Sequence, residues 1–168
     1  MQHRAQVSSN ETAGPWIQVR SLLVFGAVTG LAAWLGSLAT AEAVDSEWFQ
    51  SLEKPSFYPP DALFGIVWAV LYVLVAVAGW LAWRNGGGLR SLVPWTVQIL
   101  LNLGWSVVFF GLQQPGWGLV VVIALLATAI WTAAAMAPAS RWAAILFAPY
   151  ILWIGFATIL NATIVALN

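Results

Sequence analysis

Three groups of side chains carry the chemically capable pattern in the apolar stretches of this sequence. Gln98, Asn102 and Ser106 recur every four residues, so a helix would place them on one face, with Trp105 and Phe109 beside it. Tyr150, Trp153, Ala157 and Asn161 form a second stripe, at helical spacings of three and four. Trp68 and Tyr72 stand one turn apart. All are neutral amides, hydroxyls, rings or small gaps, and two readings fit each of them. Amides buried in lipid hold helices together, by roughly 0.6–2 kcal/mol each. The same groups, sparse among aromatic rings, line ligand pockets. Aromatic and amide groups recurring on three separate stretches favour a shared cavity.

The elements that must position these groups follow from composition. The chain has 168 residues, 61% of them hydrophobic and only 7% charged. Soluble domains carry roughly 25% charged residues, so this chain cannot cover a water-facing surface, and a lipid bilayer is its expected solvent. A spanning helix needs about 20 mainly apolar residues. Five runs qualify: Ser21–Thr40, Ala62–Trp83, Leu92–Leu112, Trp117–Ala137 and Trp142–Leu167. The expected fold is therefore an all-α integral membrane protein, a bundle of five transmembrane helices. It forms one domain over residues 16–168, after a polar, disordered tail at 1–15. Short turns rich in Gly and Pro separate most runs, so sequential helices should run antiparallel. Pro115 suits the start of the fourth helix and Pro138 its end, and Pro149 should bend the fifth. Only the first connection, about Ala41–Asp61, is long, and long ordered loops are usually functional. Arg20 and Ala39-Thr-Ala41 imitate a secretory signal, but the apolar run exceeds a signal core of about 7–15 residues, so the first helix is expected to be retained.

Charge sets an orientation. Arg4, Arg20, Arg84, Arg90 and Arg141 fall on one side of a five-span layout; Lys54 with Glu42, Asp45, Glu47, Glu53 and Asp61 falls on the other. This asymmetry places the N-terminus in the cytoplasm and the first loop outside the cytoplasmic (inner) membrane. No Asp, Glu, Lys, Arg or His lies inside a run, which argues against an ion-coupled transporter or a channel. Cysteine is absent and the one histidine, His3, sits in the tail, so no metal site is expected. Zero net charge gives no reason to expect nucleic acid. Of the 12 tryptophans, Trp16, Trp48, Trp83, Trp95, Trp117 and Trp142 lie near run ends as interfacial anchors would, whereas Trp68, Trp105, Trp131 and Trp153 lie inside runs. In the first loop, Pro55, Pro59 and Pro60 each fix φ and stiffen the chain, while Trp48, Phe49, Phe57 and Tyr58 offer stacking surface. Such a loop either covers the bundle or rests among lipid headgroups.

Three stretches, WFQSLEKPSFYPPDALFGIVWAVLY from Trp48, QILLNLGWSVVFFG from Gln98 and APYILWIGFATILN from Ala148, occur in order. Together they resemble the TspO/MBR family, the tryptophan-rich sensory proteins related to the mitochondrial translocator protein, over about residues 20–168. The resemblance implies a five-helix bundle, commonly a homodimer, with a pocket beneath the first loop. It implies binding of tetrapyrroles, protoporphyrin IX or haem, and in relatives of cholesterol and benzodiazepine-type drugs, with no obligatory cofactor. Carried onto this chain, it implies pocket residues Phe49, Trp68, Asn102, Ser106, Trp153 and Ala157, under a loop that includes Lys54. Trp68 and Trp153 match tryptophans associated in some relatives with light-dependent porphyrin breakdown, and are the candidate catalytic residues if this chain has that activity.

Two departures matter. Phe49 stands where several relatives have Tyr, which removes a phenolic hydroxyl. The cholesterol-recognition pattern needs a Tyr and a basic residue after Leu160, and residues 161–168 contain neither. Haem ligation needs His, Cys, Met or Tyr; the runs offer Tyr72, Tyr150 and, at a helix end, Met136. Stacking on tryptophan is therefore expected to dominate tetrapyrrole binding. Four functions remain: a binding and sensing protein, an uncoupled tetrapyrrole transporter, a photochemical enzyme, and a structural membrane protein. Gly26-xxx-Gly30 on the first helix, and Gly104 with Gly111 on the third, are small-residue faces that either build a homodimer or pack inside one bundle.

Overall fold

The computed structural model describes residues 14–168; His3 and most of the tail expected at 1–15 lie outside the described residues. Five long helices are apolar enough to cross a membrane. They are α1 (Pro15–Val44), α3 (Asp61–Arg84), α4 (Gly88–Ser106), α5 (Pro115–Met136) and α6 (Arg141–Leu167), with a short α2 (Glu47–Ser51) in the long connection. Among the described residues there are no strands.

The ends of these helices follow local chemistry. Pro15 and Pro115 occupy first-turn positions, where no amide hydrogen is required. Asp61 in the first turn and Arg84 in the last turn of α3 complement the helix dipole. The Ser140 hydroxyl caps α6 by accepting from the Ala143 amide at 3.2 Å. α1 extends beyond both expected ends, because no helix breaker intervenes between Pro15 and the Asp45-Ser46 turn. α4 starts earlier than Leu92, because the glycine turn closes within a few residues. Gly86 and Gly88 adopt positive φ (83° and 51°), and a Cβ on Gly87 would lie 2.7 Å from the Ala82 carbonyl oxygen. α6 runs unbroken through Pro149, and α4 likewise contains Pro94.

α4 departs from regular geometry at its end. Val107–Gly111 form a π turn, with the Leu112 amide donating to the Val107 carbonyl at 2.8 Å. The wider turn rotates successive side chains less than an α-helix does, and such turns recur at functional sites. Phe109 and Phe110 thereby both face inward, with ring centroids 4.7 Å apart. Gln113, at φ 55°, ends the segment ahead of Pro115.

In cross-section the helices close a ring: α1 packs on α3 and α4, α3 on α6, α6 on α5, and α5 on α4. The end of the bundle away from the long connection is solid. Ala78 and Ala82 of α3 are fully buried there, and small residues let helix backbones approach. Trp95, expected as an interfacial anchor, instead lies inside this part. Its Nε1 donates to the Val75 carbonyl at 3.0 Å, and its ring meets Phe25 edge-on at 4.8 Å. Trp16, Trp117 and Trp142 are exposed at helix ends, as anchors would be. A Cβ on Gly79 would lie 2.5 Å from Trp95 Nε1 and 2.9 Å from Phe25 Cδ1. Gly79→Ala should therefore displace the indole and lower stability by about 1–3 kcal/mol, the usual cost of overpacking. Thermal unfolding in detergent measures this, and an unchanged midpoint would contradict the packing described.

Candidate functional site

Toward the other end the bundle opens. A cavity of about 540 Å³ lies between α1, α3, α4, the π turn and α6, beneath the long connection. α4 supplies Asn102, Trp105 and Ser106, and the π turn adds Phe109 and Phe110. α3 supplies Phe64, Gly65, Trp68, Ala69 and Tyr72; α6 supplies Ala157, Leu160, Asn161 and Ile164. Trp68 is the aromatic hub, with ring centroids 5.5 Å from Tyr72, 6.3 Å from Tyr150 and 6.5 Å from Trp105.

A chain of hydrogen bonds makes the polar floor. Tyr72 Oη donates to Asn102 Oδ1 at 2.7 Å, Asn102 Nδ2 donates to Tyr150 Oη at 3.1 Å, and Tyr150 Oη donates to Gln98 Oε1 at 2.7 Å. The chain joins α3, α4 and α6, and ends at Gln98 Nε2, which is buried without a protein partner. Trp105 Nε1 donates to Asn161 Oδ1 at 3.1 Å, and Asn161 Nδ2 donates to the Pro115 carbonyl at 2.9 Å. The amides expected either to bind helices or to line a pocket thus do both: Asn102 and Asn161 bridge helices and border the cavity.

The long connection packs onto this opening. Ser46 caps α2 by accepting from the Phe49 amide at 3.3 Å, which turns Phe49 inward to meet Phe110 at 5.7 Å, while Trp48 meets Phe109 at 6.1 Å. Lys54 Nζ lies 4.2 Å from the Phe49 ring centroid and 5.5 Å from that of Tyr58, in cation–π contact. Pro55 is buried; Pro59 is half-buried and Pro60 exposed as the chain enters α3. Tyr58 Oη donates to Asp61 Oδ1 at 2.8 Å. Burial, reinforced by that carboxylate, raises the Tyr58 pKa above the usual phenol value, so the hydroxyl remains a donor. The last residue clasps the segment: Asn168 Nδ2 donates to the Glu53 carbonyl at 3.1 Å and Asn168 Oδ1 accepts from the Glu53 amide at 3.0 Å. Of the two readings of this loop, cover or headgroup anchor, the packing is that of a cover. Asn168→Ala should release it. Two exposed hydrogen bonds of about 0.5–1.5 kcal/mol each are lost, so amide exchange across residues 50–60 should rise several-fold while the spans stay protected.

Not every residue singled out in the sequence reaches the cavity. Phe49, Trp68, Tyr72, Asn102, Trp105, Ser106 and Ala157 line it. Gln98 and Tyr150 lie beneath, joined to the lining by the hydrogen bond from Asn102 and the contact of Tyr150 with Trp68. Trp153 is absent from the lining and packs behind Phe64, centroids 5.6 Å apart, and against Phe156 at 5.3 Å. Its Nε1 is buried without an acceptor. Sequence reasoning missed the wall from α1, made by Ala33, Trp34, Gly36, Ser37, Thr40, Ala41 and Val44. Its signal was small residues recurring every four positions, at Ala33, Ser37 and Ala41 and again at Gly36 and Thr40.

Among the described residues no group of three or more His, Cys, Asp or Glu side chains gathers as metal ligands would. The cavity offers apolar walls, aromatic rings and a few fixed polar groups, the make-up of a site for a hydrophobic small molecule.

Comparison with known proteins shows the family. The TspO/MBR family model matches residues 24–167. The chain is 44% identical over 135 residues to the tryptophan-rich protein TspO of Archaeoglobus fulgidus, covering 79% of this chain and 87% of that protein. It is 34% identical over 157 residues to the translocator protein of Homo sapiens, covering 89% of each. To the tryptophan-rich sensory protein of Cereibacter sphaeroides it is 32% identical over 146 residues, covering 87% of this chain and 90% of that protein. With the five-helix bundle and its loop-covered cavity, these matches place the chain in the TspO/MBR family.

Proposed function

We propose that this membrane protein is a binding and sensing protein for tetrapyrroles, with protoporphyrin IX or haem held in the cavity beneath the first loop. The observation that carries the reading is the loop-covered space itself, about 540 Å³ walled by Trp68, Trp105, Phe109 and Phe110. Its volume lies within the range of small-molecule sites, about 300–1,000 Å³. A flat macrocycle stacks on these rings, and Lys54 at the roof is placed to meet a peripheral carboxylate. The relatives' names, sensory protein and translocator protein, support a sensory or transport-related membrane role.

Ring stacking dominates over iron ligation in this reading. Tyr72 and Tyr150 are both committed to the polar floor, and Met136 is fully buried at the far end of α5. Metal-free protoporphyrin and haem should then bind within a few-fold of each other. The orientation proposed has the arginine-rich end in the cytoplasm and the roof outside the inner membrane. Gly26 and Gly30 of α1 have no atom within 4 Å of an added Cβ, so they do not pack inside the bundle and are free to meet a second copy in a homodimer.

The test is titration of the full-length protein in nanodiscs with protoporphyrin IX, followed by tryptophan emission. Saturable quenching that weakens for both porphyrins when Trp68 becomes Phe supports the reading; well-folded protein without saturable quenching overturns it. Because Trp68 faces the cavity and Trp153 stands behind Phe64, light-driven breakdown of bound porphyrin, if present, should fall more in Trp68→Phe than in Trp153→Phe.

A further inference from the structure

Trp131 is a mid-span tryptophan that the cavity does not use. It lies on the outer surface, about half exposed, and with Leu89, Arg90, Val93, Pro94 and Ala134 it lines a separate groove of about 420 Å³ between α4 and α5. The groove is at the end of the bundle opposite the roof. Among the described residues that end carries Arg20, Arg84, Arg90 and Arg141 and no carboxylate; all five acids of the described chain lie toward the roof. Arg84 and Arg141 rest on indole faces, 4.7 Å from Trp80 and 5.7 Å from Trp142. Arg90 lines the groove, is exposed, and has neither a ring nor a carboxylate partner among the described residues.

Pro94 adds a second polar feature. It has no amide hydrogen, so the Arg90 carbonyl, four residues earlier, loses its regular helical donor. Arg90 thus presents a cationic side chain beside an apolar groove, and its carbonyl lacks the regular helical donor. The floor is held shut by Ser91 Oγ donating to the Ala135 carbonyl at 3.2 Å, so the groove is a built feature of the α4–α5 contact.

We propose that this groove is a binding site for one anionic glycerophospholipid of the surrounding leaflet. The phosphate pairs with the Arg90 guanidinium, a headgroup hydroxyl donates to the freed Arg90 carbonyl, and an acyl chain runs inward past Val93 and Trp131. Depth agrees: Arg90 is in the first turn of α4, and Val93 and Pro94 lie about one turn deeper, at ~1.5 Å per residue. Basic pockets between spanning helices are a recurrent means of holding acidic headgroups. An acyl chain along apolar walls distinguishes a lipid from a soluble anion, which would use the arginine alone.

Native mass spectrometry of the full-length protein in detergent tests this, with phosphatidylglycerol, phosphatidylcholine and inorganic phosphate as probes. One phosphatidylglycerol should be retained in preference to phosphatidylcholine. Arg90→Gln should lower that preference by about five-fold, the scale of one arginine near a charged headgroup. Ala134→Phe, at an exposed position, should fill the groove and reduce retention of both lipids, and Arg84→Gln should leave retention unchanged. Equal losses from Arg84→Gln and Arg90→Gln would show a diffuse positive field and overturn the site. Displacement of the lipid by millimolar phosphate would show a soluble-anion site, and a change of oligomeric state in Ala134→Phe would show that a second copy covers the groove. Either overturns the proposal. Unfolding midpoints near that of the parent protein establish that the variants fold.

Discussion

Ala157→Phe should abolish saturable tetrapyrrole binding without weakening the fold. Ala157 is nearly fully buried by its neighbours yet borders open space. In a filled core the added ring would cost about 1–3 kcal/mol through overpacking. Here it enters the cavity, so the unfolding midpoint should hold or rise, because new apolar area is buried at roughly 25 cal/mol per Å². Protoporphyrin affinity should fall more than ten-fold, since each decade is only about 1.4 kcal/mol and the ring would occupy space the macrocycle needs. Leu152→Phe, five residues earlier on the exposed face of α6, is the matched control and should bind as the parent does. Equal affinity in both variants would place the ligand outside this cavity.

Asn102→Leu should carry the largest stability cost among substitutions at the site. Its amide accepts from Tyr72 and donates to Tyr150, so one side chain joins three helices. Leucine keeps the bulk but leaves the Tyr72 hydroxyl without its acceptor. Tyr150 keeps its bond to Gln98. Stranding a buried polar group costs about 1–3 kcal/mol, and hydrogen bonds between helices in membranes average nearer 0.6 and reach about 1.7 kcal/mol. A loss of about 1–2 kcal/mol follows, seen as a midpoint several degrees lower. A double-mutant cycle isolates the bond: Tyr72→Phe should cost stability in the parent and almost nothing in the Asn102→Leu background. Strictly additive losses would show that the two side chains are not coupled as the geometry requires. Porphyrin affinity should change less than in Ala157→Phe, because the aromatic walls remain.

These two residues show how differently parts of the site were legible. Asn102 was identifiable as an amide in an apolar run, four residues from Gln98 and from Ser106. That spacing assigns a shared face but not a role, and in the fold Asn102 borders the cavity while Gln98 lies beneath it. Trp68 and Trp153 are indistinguishable by residue type and setting, yet one lines the space and the other packs behind Phe64. A helical period states which residues share a face; it does not state which neighbour that face meets. The π turn at Val107–Gly111 has no counterpart in the apolar periodicity, which continues through it as in an ordinary helix. Trp95 followed the pattern of an interfacial anchor and was drawn inside by a small-residue gap at Gly79 on another helix.

The sequence by itself determined the solvent, the number of spans, the long first connection and the neutral, aromatic chemistry available at membrane depth. These depend on composition and run length, which act locally: a chain with 7% charged residues has no alternative to lipid, and 20 apolar residues have few alternatives to a helix. Only the tertiary structure decided where the bundle packs solid and where it stays hollow, that α1 forms one wall, that Asn168 clasps the roof, and that an arginine-lined groove remains on the outside. Each of these depends on the relative rotation of helices far apart in the chain. Lipid is as apolar as most side chains, so hydrophobicity alone cannot select that rotation; close packing and a few long-range hydrogen bonds do.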